Sequence, residues 1–178
     1  GIVEDLDIAV LCRAIKMTEQ RTLSREQPRA KTFLESVIDN IPVCVAAKNI
    51  EDGRYILANR AFEQFSNIPR DRIVGHRADE IFTVKTATTV AENDRAALES
   101  ADGRVRNGFI VELGRGQKIL ASNRVIARDE NGQPEYLVAL FEDVTGRRAM
   151  SRELQSTKKF LELIVDNIPA ALVVKRVD

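Results

Sequence analysis

The amino-acid sequence predicts an α+β domain in which short helices cover one face of a five-stranded antiparallel sheet. Two strand-like segments come first, helical segments follow, and three further strand-like segments close the domain, an order typical of antiparallel sheets. The turn signals Asp52-Gly53 and Asn131-Gly132 lie between strand-like segments, as β-hairpins require. A similar segment, residues 31–42 and 158–169, stands at each end of this region and marks its limits.

The composition is that of an ordinary soluble globular chain. Of its 178 residues, 44% are apolar and 30% are charged, and 27 Lys and Arg balance 27 Asp and Glu. This balance gives no electrostatic reason to expect nucleic acid or a membrane surface as a partner. We expect a cytoplasmic protein, because no apolar run approaches the ~20 residues of a membrane span and no secretion signal is present. Cys12 and Cys44 lie in apolar runs and are expected to be core thiols.

The repeated segment divides the chain into parts. KTFLESVIDNIP returns as KKFLELIVDNIP, and an apolar strand-like run follows each copy. We interpret this as part of a tandem array, the alternative being a chance similarity between two amphipathic helices. The expected parts are the tail of a preceding module or an N-terminal helix (1–23), a leading helix (24–42), the core (43–143), a connecting helix (144–168) and the start of a further module (169–178).

The first part of the core contains a predicted hairpin and a helix. Residues 43–48 and 53–59 are short apolar runs on either side of a turn, as expected for paired strands. Asn59 has the side chain of a good helix cap, and the segment after it places Phe62 and Phe65 on one helical face.

The rest of the core contains a long helix and three strands. Broken segments follow the first helix, with residues 79–82 predicted as one helical turn. Residues 88–101 form a predicted helix with Val90, Ala97 and Leu98 along one side. The last three predicted strands are residues 107–113, 117–127 and 134–143.

The flanking helices have apolar positions that alternate four and three residues apart. This spacing is typical of a coiled coil and predicts a homodimer through these helices, the alternative being helices that pack on their own domain. The positions are Leu23, Gln27, Ala30, Leu34, Val37 and Ile41 in the first copy, and Met150, Leu154, Thr157, Leu161, Ile164 and Ile168 in the second.

Five segments between residues 31 and 148 stand out in order: IDNIPVCVAAKN, YILANRAFEQFSN, IVGHRADEIF, LESADG and FEDVTGRR. Together they resemble the PAS family of sensor modules. The resemblance implies a five-stranded antiparallel sheet with a hydrophobic cleft between sheet and helices. It also implies a sensory or dimerising unit whose partners are adjacent PAS modules and an output domain, either a histidine kinase or a diguanylate cyclase.

The resemblance, together with strand alternation, implies a cleft for a small-molecule ligand. The expected lining residues are Phe109, Val111, Ala121, Asn123, Val125, Ala139 and Phe141. A buried amide such as that of Asn123 needs partners, because leaving it unpaired costs about 1–3 kcal/mol. The alternative is a solid core with no ligand, in which the module only dimerises and spaces its neighbours.

The sequence offers little for catalysis, cofactors or metal. His76 is the single histidine, so we nominate no catalytic residues and expect a regulatory module. Haem is not expected, because PAS modules that bind it generally carry a histidine in the long helix. Flavin is not expected either, because the matching segment SNIPRDRIVG lacks the reactive cysteine. Glu92, Asp94 and Glu99 are interpreted as a solvated helix face and not as a metal site.

The junction after the last strand is the predicted signal relay. Asp143 and Thr145 match the Asp-x-Thr signature that ends many PAS modules, and both are good helix caps. Asp143 is expected to pair with Arg147 or Arg148. In the resemblance, this joint transmits strain from the sheet to the output helix.

Overall fold

The computed structural model describes residues 27–114 and 116–167, so the predictions for residues 1–23 and 169–178 lie outside it. The helices are α1 (Gln27–Asp39), α2 (Arg60–Ser66), α3 (Arg70–Ile73), α4 (Ala78–Ile81), α5 (Val84–Glu99) and α6 (Thr145–Asn167). The strands are β1 (Cys44–Asn49), β2 (Tyr55–Ala58), β3 (Arg104–Leu113), β4 (Gly116–Arg128) and β5 (Pro134–Asp143). The chain divides after Asp143 into a core unit and a unit that contains α6.

The strands form one antiparallel sheet in the order β2-β1-β5-β4-β3. The predicted fold class is therefore confirmed. The hairpin between β4 and β5 turns where the sequence predicted it. There Asp129 Oδ1 accepts hydrogen bonds from the N–H groups of Asn131 and Gln133, and Gly132 adopts a left-handed φ of 80° that favours glycine.

Asn59 joins three elements through one buried side chain, 1% exposed. Its Oδ1 accepts hydrogen bonds from the N–H of Phe62 at 3.0 Å, which confirms the predicted cap of α2, and from the N–H of Val45 at 2.9 Å. Its Nδ2 donates to the carbonyls of Val43 at 2.9 Å and Ile38 at 3.1 Å. One amide thus ties the end of α1 and the start of β1 to the start of α2.

The helical layer differs from the prediction in two places. Residues after Pro69 form the additional short helix α3, so four helices and not three connect β2 to β3. The long helix α5 begins earlier than predicted, because Thr83 Oγ1 accepts a hydrogen bond from the N–H of Thr86 and caps the helix at Val84.

Buried side chains lie on both faces of the sheet. On one face, Ile38 of α1 packs with a cluster that includes Val45, Val138 and Leu140. On the other face, residues of the helical layer such as Phe62 and Ile73 pack with the sheet. The candidate site lies on this second face, between the sheet and the helices.

Candidate functional site

A cavity lies between the inner face of the sheet and helices α2 and α5. All five strands and both helices contribute side chains to its wall, and most of these are apolar. The lining residues are Ala46, Lys48, Tyr55, Phe62, Phe65, Phe82, Thr86, Val90, Asp94, Phe109, Val111, Leu113, Leu120, Arg124, Leu137, Ala139 and Phe141.

Aromatic rings shape one end of the cavity. The rings of Phe62 and Phe141 meet edge to face with their centroids 5.1 Å apart, and Phe65 meets Phe141 at 5.8 Å. The ring centroid of Tyr55 lies 6.0 Å from that of Phe62. Contacts of this kind hold the rings in defined orientations, so this wall is preformed before a ligand binds.

The cavity has a volume of about 40 Å³. A single water molecule needs roughly 10–15 Å³, so the space is larger than one water molecule requires. The cavity therefore has the size for a small ligand.

Three charged side chains meet at the polar end of the cavity. Lys48 Nζ lies 2.5 Å from Asp94 Oδ2, and Arg124 Nε lies 2.9 Å from Asp94 Oδ1. The exposed fractions of these side chains are 10% for Lys48, 15% for Asp94 and 3% for Arg124. Asp94 thus links helix α5 to strands β1 and β4 inside the core.

Aromatic faces and a hydroxyl hold the two cations in place. Lys48 Nζ lies 4.6 Å from the ring centroid of Tyr55, and the Arg124 guanidinium lies 4.8 Å from that of Phe109. Arg124 Nη1 also donates to Ser122 Oγ. Burial, and next the nearby Asp94 carboxylate, raise the pKa of Tyr55, so its phenol stays protonated.

The sequence placed part of strand β4 on the wrong face. Phe109, Val111, Ala139 and Phe141 line the cavity, as predicted, whereas Ala121, Asn123 and Val125 do not. Directly paired residues of antiparallel strands share a face, and β4 pairs with β5 as Ser122–Phe141, Arg124–Ala139 and Ile126–Leu137. The residues of β4 that share the face of the cavity are therefore the ones that alternate with the predicted residues, namely Leu120, Ser122, Arg124 and Ile126.

The buried members of the three misplaced positions lie on the opposite face. Asn123 and Val125 pair with Leu140 and Val138 of β5, and Val125 belongs to the cluster around Ile38. The cavity is thus lined by the charged residues Lys48, Asp94 and Arg124, and not by the predicted Asn123.

Asp94 is a further residue that the sequence prediction placed wrongly. The sequence predicted Asp94 on a solvated helix face, yet its carboxylate faces the cavity. Its position gave a signal, because Asp94 lies four residues after Val90 and three before Ala97, both of which were placed on the inner side of the helix.

The fold described above is that of a known protein family. A family model described as the PAS fold matches residues 38–149, which is more than half of the chain. The chain belongs to the PAS family. The resemblance inferred from the sequence motifs is therefore confirmed.

Three known proteins are similar to this chain. The chain is 23% identical over 144 residues to the methanogenesis regulatory histidine kinase FilI of Methanothrix harundinacea, and the match spans 78% of this chain but only 15% of that protein. The PAS domain of BvgS from Bordetella pertussis has 19% identity and a TM-score of 0.55, covering 76% of this chain and 98% of that structure. An RNA-binding Light-Oxygen-Voltage receptor has 15% identity and a TM-score of 0.59, covering 72% and 37%.

The predicted relay residues lie around the end of the PAS core. Asp143 ends β5 and forms an ion pair with Lys118 Nζ of β4 at 3.0 Å. Helix α6 begins at Thr145, and its first described hydrogen bond runs from the N–H of Arg148 to the carbonyl of Val144. Val144 therefore occupies the cap position, between the two residues predicted to cap.

Within residues 27–114 and 116–167, no helix is long and apolar enough to cross a membrane. In the same ranges, no group of three or more His, Cys, Asp and Glu side chains is placed to hold a metal ion.

Cys44 is a buried thiol at the edge of the PAS core, and we expect it to resist alkylation. Its Sγ donates to the carbonyl of Ala61 at 3.6 Å. Burial, reinforced by the Asp143 carboxylate, raises the pKa of Cys44 from 9.0 to about 12. Since only the thiolate reacts, alkylation by iodoacetamide at pH 8 should be on the order of 1,000-fold slower than for a free thiol.

The measurement uses the Cys12→Ser variant, so that Cys44 is the reacting thiol. Because the folded-state pKa is above the unfolded one, the stabilising effect of the protonated thiol is complete below pH 9 and is lost as the pH rises towards 12. Rapid alkylation at pH 8 without denaturant would contradict the buried position, whereas rapid alkylation in denaturant is expected.

Proposed function

We propose that this chain is a regulatory, sensory PAS module that binds a small ligand in its cavity and passes a conformational change through helix α6 to an output domain. In this proposal the output domain is a histidine kinase or a diguanylate cyclase. The match to a regulatory histidine kinase supports the first of these.

One observation carries the proposal. Strand β5 contributes Leu137, Ala139 and Phe141 to the cavity wall and ends at Asp143, and α6 begins at Thr145. A displacement of β5 by a ligand therefore reaches the base of the helix through a single intervening residue. A ligand shifts such an equilibrium only by binding one arrangement better than the other, which the shared strand makes possible. Asp143, Thr145 and Arg148 are the proposed relay residues.

A substitution that fills the cavity should imitate a ligand. Ala139→Val adds two methyl groups to the cavity side of β5, and we expect it to change amide hydrogen exchange in the first two turns of α6. The matched control is Ala121→Val, the same change at a position of β4 outside the cavity wall. Hydrogen-exchange mass spectrometry on both variants and the parent chain provides the measurement.

Comparison with Ala121→Val shows whether a change in the hydrogen exchange of α6 arises from the cavity. An unchanged α6 in both variants, with both chains folded, would refute transmission through β5. An equal change in both would show a general loss of stability, which also contradicts the proposal.

A spacer role without a ligand is the second candidate function, and the surface of α6 favours the dimer that this role requires. Met150, Leu154, Leu161 and Ile164 are exposed apolar residues at the four-and-three spacing of a coiled-coil seam. An exposed stripe of this kind is stabilised by a second copy of the helix. We propose a homodimer through α6, which is compatible with either function.

One leucine pair in α6 offers a matched test of the dimer. Leu161 lies in the seam and is 55% exposed, whereas Leu163 lies outside it and is 61% exposed. We expect Leu161→Glu to shift sedimentation equilibrium towards the monomer, because it would place a charge in an apolar interface, and Leu163→Glu to leave the dimer intact. A monomeric parent chain, or equal behaviour of both variants, would rule out this seam.

A further inference from the structure

We propose that the cavity binds a small organic carboxylate, held by Lys48 and Arg124 beside Asp94. This inference rests on the proposed function, because it names the ligand class for the same cavity. It follows from the charge, the donor groups and the size of the space.

The charges that line the cavity leave an excess of one positive charge. Lys48 and Arg124 are the lining cations, and Asp94 is the lining carboxylate. Burying charged groups is unfavourable unless opposite charges and hydrogen bonds compensate for the lost water. A ligand with one negative charge would complete an alternating group of two cations and two anions, whereas a cationic ligand would add to the excess.

The two cations retain donors that a carboxylate needs. An ammonium group has three N–H donors, and one faces Asp94 Oδ2. The hydrogen bonds described for the guanidinium use Nε and Nη1, which leaves Nη2. Because both cations touch the same Asp94 carboxylate, their remaining donors belong to one small region. Carboxylates accept such charge-assisted hydrogen bonds strongly.

The rest of the cavity wall determines the polarity and the size of the remainder of the ligand. Beyond the charged group and Thr86 the lining is aliphatic and aromatic, including Phe65, Val90 and Leu113. The volume of about 40 Å³ exceeds the space that one water molecule needs and limits the ligand to a small molecule. A carboxylate with a short apolar chain, of the size of propionate or butyrate, meets both requirements.

Three small compounds test the assignment. Sodium butyrate, butyramide and butylammonium chloride share the carbon chain but differ in charge. We expect butyrate to raise the melting temperature of the chain and to bind in isothermal titration calorimetry, with the other two at least about tenfold weaker. Ionic strength is held constant with sodium chloride, and the buffer contains no carboxylate.

Substitution of the cations links the binding to the cavity. We expect Lys48→Met to abolish butyrate binding, and the matched control Lys85→Met, at an exposed lysine of α5, to retain it. Circular dichroism checks that each variant is folded. If Lys48→Met does not fold, Arg124→Lys replaces it: this variant keeps the charge but loses the guanidinium donors, so it should bind butyrate more weakly than the parent.

The outcomes separate this inference from the proposed function. Equal binding of the amide or the ammonium compound would overturn the carboxylate assignment and leave a ligand-binding cavity standing. Binding of none of the three probes, or full binding by a folded Lys48→Met variant, would also overturn it. The proposed function fails separately, if Ala139→Val does not alter the exchange of α6.

Discussion

Asn59→Ala should lower the free energy of unfolding by about 4 kcal/mol, because one substitution removes a helix cap and leaves buried backbone groups without their partner. The amide bonds to the N–H groups of Val45 and Phe62 and to the carbonyl of Val43, all within 3.0 Å. Urea unfolding followed by circular dichroism measures the effect. A loss below about 1 kcal/mol would mean that water replaces these bonds freely.

Asn40→Ala is the matched control for this prediction. Asn40 is an exposed asparagine whose Nδ2 donates one hydrogen bond, to the carbonyl of Ser36 at 2.8 Å. Because water can replace that bond, the loss should remain below about 1 kcal/mol.

A charge variant at Asn59 adds a dependence on pH. Asn59→Asp keeps the Oδ1 acceptor but turns a second oxygen towards the carbonyls of Val43 and Ile38. We expect that repulsion to raise the pKa of the introduced carboxyl in the folded state above its unfolded value. The variant should therefore gain stability as the pH falls and lose it as the pH rises through that window.

Asp94→Ala is expected to destabilise the core by about 3 kcal/mol, because it leaves two buried cations without their shared carboxylate. Lys48 and Arg124 are only 10% and 3% exposed, so water can screen them little. The same urea titration gives the measurement.

Two controls show whether charge is the cause of this loss. The triple variant Lys48→Met, Asp94→Leu and Arg124→Met should recover most of the stability, since replacing a buried ionic group with apolar residues of similar size is often neutral. Lys85→Gln should leave the unfolding midpoint unchanged, because its ion pair with Glu112 is exposed to solvent. A destabilised triple variant would attribute the loss to packing and not to unpaired charge.

Much of the fold was predictable because its signals are local. The caps and turns at Asn59 and Asn131-Gly132 depend on neighbours within a few residues, and the structure confirms both. Phe109 and Phe141 were predicted to face inward and lie on the cavity wall, as does Phe62, which was predicted to share a helical face with Phe65.

The candidate site was harder to predict because its polar residues contradict the usual link between charge and exposure. Both faces of β4 contain large apolar side chains, Leu120 and Ile126 on one and Val125 on the other, so alternation alone cannot orient the strand. Asp94 and Arg124 have the polarity of surface residues, and only their pairing with each other makes their burial acceptable.

The sequence by itself determined the order of the strands and of all helices except α3, the turns between them, the PAS family and the coiled-coil spacing of α6. Most of these depend on residues that are close in the chain, and the PAS family depends on five short segments in a set order. The tertiary structure alone decided which face of β4 lines the cavity and that Lys48, Asp94 and Arg124 meet there. Those features arise from the register between strands and from contacts between residues far apart in sequence, which a local pattern does not specify.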